Sequence, residues 1–168
     1  IEQAILCYSG VPFKKDPRAD VDAFLKQRMA FYLQSKNIRY DIIDTVLAQD
    51  AEWTPCYIVQ LAKALADFSK AELFDALITC YKRTVRILPE KLGPPIQPSF
   101  LTTGADLVLY NALLDTGVKV NHHVKQQAFD SALQTLSGLY HPLDRFFKDV
   151  LVLDERLEIQ NNNLALLR

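Results

Sequence analysis

Residues 69–88 read SKAELFDALITCYKRTVRIL. Leu73, Leu77, Tyr81, Val85 and Leu88 recur at the three-to-four spacing of one helical face. Ser69 and Glu72 stand three apart in front of that run, the pattern of a capping box. At about 100° per residue, Thr79, Lys82, Arg83 and Arg86 share another face, turned away from Tyr81, Val85 and Leu88. The segment therefore predicts a helix over 70–88, apolar inward and basic outward.

Working outward, the same periodicity covers almost the whole chain. Pro17 suits the first position of a helix to Lys36, with Asp16 as its cap and Asn37 as a left-handed exit. Its apolar stripe is Val21, Phe24, Leu25, Met29, Tyr32 and Leu33. A short helix over 40–49 points Ile43, Val46 and Leu47 inward. Thr54-Pro55 opens the next, to Phe68, with Ile58, Leu61, Leu65 and Phe68 inward. Residues 1–8 read as the tail of an incoming helix, and 11–16 as a connector.

Beyond Leu88, residues 89–99 hold four prolines and form a stiff crossover within one domain covering 1–168. Helices follow over 105–115, with Gly117 as a break, over 120–139, from His141-Pro142 onward, and from near Glu155. The run 150–153 is too short and isolated to serve as a strand. The expected fold is all-α, an irregular bundle of about seven or eight helices.

Composition narrows the class. Nearly half of the 168 residues are hydrophobic and 23% are charged, an ordinary globular balance. No apolar run approaches the roughly 20 residues that span a bilayer. The first residue is Ile1 and a helical pattern is still running at Arg168, so the chain reads as a piece of a longer protein. Cys7, Cys56 and Cys80 make no C-x-x-C pair and read as buried thiols of a reducing cytoplasm. His122, His123 and His141 lack companions for a metal set. No phosphate loop, nucleophile elbow or zinc helix is present, so the chain itself is expected to be non-catalytic, with no metal or cofactor of its own.

Net charge is −1, but the distribution is uneven. Residues 11–40 hold seven basic groups against three acidic ones, and 81–91 hold four against one. A cationic ridge built from the early helices is the expected binding feature. Two constellations stand out within it. One is Lys82, Arg83 and Arg86 with Thr79, suited to a phosphate path or base edge. The other is Arg28, Lys36, Arg39, Tyr40, Asp41 and Asp44, where a cation beside a ring suits unpaired RNA bases. Trp53 is a further candidate ring. For both constellations an ordinary solvated helix face is the competing reading. A helical scaffold is the competing class, and the lack of a fixed-period repeat speaks against a solenoid.

The run Arg39-Tyr40-Asp41-Ile42-Ile43-Asp44-Thr45-Val46-Leu47-Ala48 resembles a stretch of the bacterial glycyl-tRNA synthetase β subunit. So does Tyr81-Lys82-Arg83-Thr84-Val85-Arg86-Ile87-Leu88. The closing segments 141–152 and 162–167 resemble that family's ending, which arginyl-tRNA synthetases share, so the anticodon-binding domain of an arginyl-tRNA synthetase is the alternative within the class. The resemblance implies an all-helical, arginyl-type (DALR-type) anticodon-binding domain of a glycine–tRNA ligase. It implies glycine tRNA and a catalytic α subunit, or α portion of a fused chain, as partners. ATP and magnesium would bind in that catalytic part. The carry-over falls on Arg28, Tyr40, Asp41, Lys82, Arg83 and Asn162, with Asp41 or Asp44 accepting a cytosine amino group. Arg86 replaces the family's usual Asn and adds charge. Gln160 and Asn163 replace its usual Arg and remove charge from the last helix.

Overall fold

The computed structural model describes residues 7, 16–49, 54–90, 93–101 and 104–168. The expected incoming helix, the connector before Asp16, and Trp53 lie outside those residues, Cys7 apart. The chain divides into two compact units, 1–66 and 67–168. All regular structure among the described residues is helical, as the periodicity implies.

The first unit holds α1 (Arg18–Ser35), α2 (Tyr40–Leu47) and most of α3 (Pro55–Phe68). Asp16 accepts the Arg18 N–H and so caps α1 as expected. At the other end Asn37 takes φ 60°, and the Asn37 and Ile38 N–H groups donate back to Gln34 and Leu33. This pair of bonds is a Schellman exit, which turns the chain into α2. Thr54 accepts the Tyr57 N–H and caps α3. Leu33, Ile42, Ile43, Val46, Ile58 and Ala62 form the core. Each large side chain buried there contributes about 1.5–3 kcal/mol.

The α1 stripe is not what its spacing implies. Val21, Phe24, Leu25 and Tyr32 are exposed, and only Leu33 is buried, with Met29 and Ala30 packed beside it. The core of this unit reaches only the last turns of α1. A period-3.6 pattern says which side chains share a face, not how far the neighbouring helices extend along it.

The second unit holds α4 (Phe74–Ile87), a 3-10 turn (Pro98–Phe100), α5 (Ala105–Lys125), α6 (Phe129–Ser137), α7 (Tyr140–Asp149) and α8 (Leu157–Leu166). Its core gathers Ala105, Leu109, Phe146, Phe147, Val150, Val152, Leu166 and Leu167. Ile96 and Leu101, on either side of the 3-10 turn, pack against it, so the chain from Ile96 to Leu101 is fastened to the core. Val150 and Val152 are buried while Leu151 and Leu153 are exposed. The segment alternates like a strand but pairs through a side chain instead: Asn163 Nδ2 donates to the Leu151 carbonyl at 3.3 Å. Asp154 accepts the backbone N–H and the guanidinium of Arg156 ahead of α8, and these bonds hold its carboxyl down at about 2.

Four expectations change here. The capping box at Ser69 does not start a helix: residues 69–73 form turns and α4 begins at Phe74. The helix expected to stop at 115 runs unbroken to Lys125, and the break comes at Gln127, where φ is 56°. The last helix starts at Leu157, two residues after the expected point. Cys7 and Cys56 are exposed, and only Cys80 is half-buried, where burial and the Asp144 charge push its thiol up.

Gly117 therefore sits inside a continuous, solvent-facing helix, and a Cβ there would meet nothing within 4 Å. Gly117→Ala is expected to raise the unfolding free energy by about 0.5–1 kcal/mol in chemical denaturation. A loss of stability would show that α5 needs glycine at that point.

Candidate nucleic-acid interface

The buried side of α4 decides what its other side offers. Leu77, Cys80, Thr84, Ile87 and Leu88 are half-buried, and Ile87 and Leu88 pack on the core of the second unit. Tyr81 and Val85, expected inside, are 63% and 51% exposed. Relative to the expected stripe the helix is rotated, and the contacts with α7 fall on the side of Cys80 and Thr84. At about 100° per residue, Lys82 and Arg86 still lie far from that contact, and Arg83 borders it. All three are exposed. Among the described residues no carboxylate lies within ion-pair distance of them.

Arg83 is fixed by a ring rather than by an acid. Its guanidinium carbon lies 4.2 Å from the centre of the Phe147 ring, which belongs to the core. Such stacking is compatible with a full positive charge and leaves the guanidinium edge available for oxygen acceptors. Beside it a groove of about 320 Å³ is lined by Asp75, Thr79, Cys80, Arg83, Tyr140 and Asp144. Asp144 is occupied by Lys148 at 2.7 Å. Thr79 does not join the basic set as a donor, because its hydroxyl donates to the Asp75 carbonyl at 2.8 Å. Tyr81 was not a candidate from the sequence: its four-residue spacing from Leu77 argues for burial, and only the position of α7 reverses that.

In the first unit three of the five described cations of the expected ridge are paired with aspartates. Arg18 pairs with Asp16, Lys26 with Asp22, and Arg39 with Asp41 through two bonds. Asp41 is thus held by Arg39, chiefly through the side-chain hydrogen bond, which keeps its carboxyl below the usual range. It is not an open acceptor for a base. Asp44 is exposed, and Tyr40 is 77% exposed, so its ring is no staple to the core. Arg28 and Lys36 lie over the exposed rings of Phe24 and Tyr32, at 5.4 and 5.5 Å.

Asn162 is a correction of another kind. It is 3% exposed, and its Oδ1 accepts the Gln97 N–H at 2.7 Å. A side chain so placed ties the connector to α8 and is not presented on the outer surface. Among the described residues no three His, Cys, Asp or Glu side chains gather as a metal set.

No family model matches the chain. Curated relatives do. A glycine–tRNA ligase beta subunit of Desulforamulus reducens is 29% identical over 164 residues, 96% of this chain and 24% of the relative. One of Clostridioides difficile is 28% identical over 169 residues, covering 100% of this chain and 24% of the relative. One of Syntrophotalea carbinolica is 30% identical over 149 residues, 89% and 22%. The chain matches a C-terminal part of the glycine–tRNA ligase beta subunit. It spans less than a quarter of the length of these beta subunits. Against the pattern expected of that family, Asn163 in place of Arg is now explained locally, since the site is buried and the amide serves the Leu151 carbonyl. Arg86 in place of Asn stands on the exposed face of α4 and widens it.

The Arg39–Asp41 pair makes a pH prediction. A depressed carboxyl contributes stability that is present above the ordinary value of 3.8 and is lost as pH falls through the folded value. The pair is well exposed, so the effect is read by titration rather than by unfolding. Carbon-detected NMR is expected to show Asp41 titrating below 3.8, and Arg39→Ala to raise its midpoint. An ordinary midpoint in the unaltered chain would remove the pairing.

Proposed function

We propose that this chain holds the anticodon arm of glycine tRNA for a glycine–tRNA ligase, with aminoacylation carried out elsewhere in the enzyme. The observation that carries this reading is the unneutralised set Lys82, Arg83 and Arg86 on the outer face of α4, in a chain that matches the ligase beta subunit. Phosphate oxygens supply the missing acceptors for such a set, and Tyr81, exposed on another side of the same helix, offers a ring for an unstacked base. A catalytic α subunit, or an α portion of the same chain, completes the enzyme, and ATP and magnesium bind there. A cytoplasmic setting belongs to the same reading. No helix among the described residues is long and apolar enough to cross a membrane.

Arg83 is a poor first target, because its removal also uncovers Phe147. The cleaner test is Lys82→Ala with Arg86→Ala. Fluorescence anisotropy with glycine tRNA is expected to show binding weakened roughly tenfold and a salt slope lower by about 2, with other tRNAs affected alike. Glycine activation without tRNA stays intact in the assembled enzyme. Unchanged tRNA affinity would refute the assignment of this face. A helical scaffold would instead bind no tRNA at low salt.

A further inference from the structure

Helix α1 carries two apolar faces, and the core of its unit uses one of them. Met29, Ala30 and Leu33 point to that core. At about 100° per residue, Val21, Phe24, Leu25, Phe31 and Tyr32 fall on an arc of about 120° centred on the other side of the helix. All five are exposed, by 38–57%. Single exposed apolar side chains are ordinary, but three rings and two aliphatic side chains in one stripe mark a surface that something covers.

The chemistry of the stripe says what covers it. Arg28 stands in its middle, over Phe24, and Lys36 lies over Tyr32 beyond its C-terminal end. Among the described residues neither cation pairs with an acid. The complementary surface is therefore apolar, with carboxylates at the level of those two cations. RNA is a poorer match: Val21 and Leu25 give a base no plane to stack on, and Asp20, one turn before Phe24 on the same edge, repels phosphate. A second copy of the chain is poorer too, since a two-fold contact through this stripe would set its cations against themselves.

The beta subunit itself supplies another candidate surface. In the relatives the greater part of the subunit lies ahead of the matching stretch. It joins that stretch a short way before α1, which starts at Arg18, so a contact with α1 is intramolecular and favoured by a high effective concentration. We infer that the outer stripe of α1 seats an apolar, carboxylate-bearing surface of the preceding part of the beta subunit, with Arg28 and Lys36 pairing with those carboxylates. The inference rests on the match to the beta subunit and not on tRNA binding, so a chain that fails to hold tRNA would leave it standing.

The test is carbodiimide crosslinking of the full beta subunit, as a mixture of unlabelled and isotope-labelled copies, read by mass spectrometry. Lys36 is expected to join an aspartate or glutamate ahead of residue 1, within a single copy. Phe24→Ser with Phe31→Ser removes two exposed rings and leaves the core untouched. It is expected to abolish that crosslink and to speed hydrogen exchange over residues 21–32 at least about tenfold, while residues 42–46 in the core stay protected. Lys36 crosslinks that join two copies, that reach only a catalytic α subunit, or that are missing altogether would overturn the inference. So would protection of residues 21–32 that appears only when glycine tRNA is added. The crosslink in the unaltered subunit decides the matter even if the doubly substituted one fails to fold.

Discussion

The guanidinium of Arg83 rests on the ring of Phe147, and the character of the α4 surface depends on that contact. A carboxylate in the place of the ring would have held the arginine as firmly and cancelled its charge. A ring holds it by its quadrupole and by apolar contact, and the charge survives. Phe147 is itself immobilised in the core with Phe146, Val150 and Leu166. The order of the hydrophobic interior is thereby passed to a cation at the surface, and Lys82 and Arg86 follow because they share its helix.

Arg28 and Lys36 also lie over rings, but those rings are exposed, and many of the other cations are paired with acids. Arg18, Lys26, Arg39, Lys70, Lys119, Arg145, Lys148 and Arg156 each meet an aspartate. Most of these pairs are exposed and add little to stability, the median for such pairs being about 0–1 kcal/mol. Their consequence is electrostatic: they flatten the local field. A surface with net charge −1 can then present a positive face wherever a cluster escapes pairing.

Much of the fold was legible because helical periodicity and end signals are local. Asp16, Asn37 and Thr54 each act at the helix end where their chemistry places them. What failed was set by neighbours far away in sequence. Gly117 reads as a break, yet nothing near it opposes a continuous helix, while Gln127 takes the left-handed turn that glycine usually provides. Tyr81 and Val85 share spacing with Leu77 and Leu88, but α7 covers the adjacent side of the helix. The phase of an apolar stripe is a packing result, known only once the partner helix is placed.

The candidate site divides the same way. The set Lys82, Arg83 and Arg86 was readable from spacing alone. Counting charges in residues 11–40 suggested an open ridge, and the pairing of Arg39 with Asp41 could not be seen in that count. Asn162 carried a family pattern but no hint of its inward position or its unmatched donor. The central claim is that α4 presents its free cations to tRNA, and amine–RNA crosslinking of the chain with glycine tRNA, read by mass spectrometry, tests it most directly. The account predicts nucleotide adducts from the anticodon arm on Lys82. Adducts confined to other lysines, such as Lys119 and Lys125 on α5, with Lys82 unmodified in the bound complex, would contradict it.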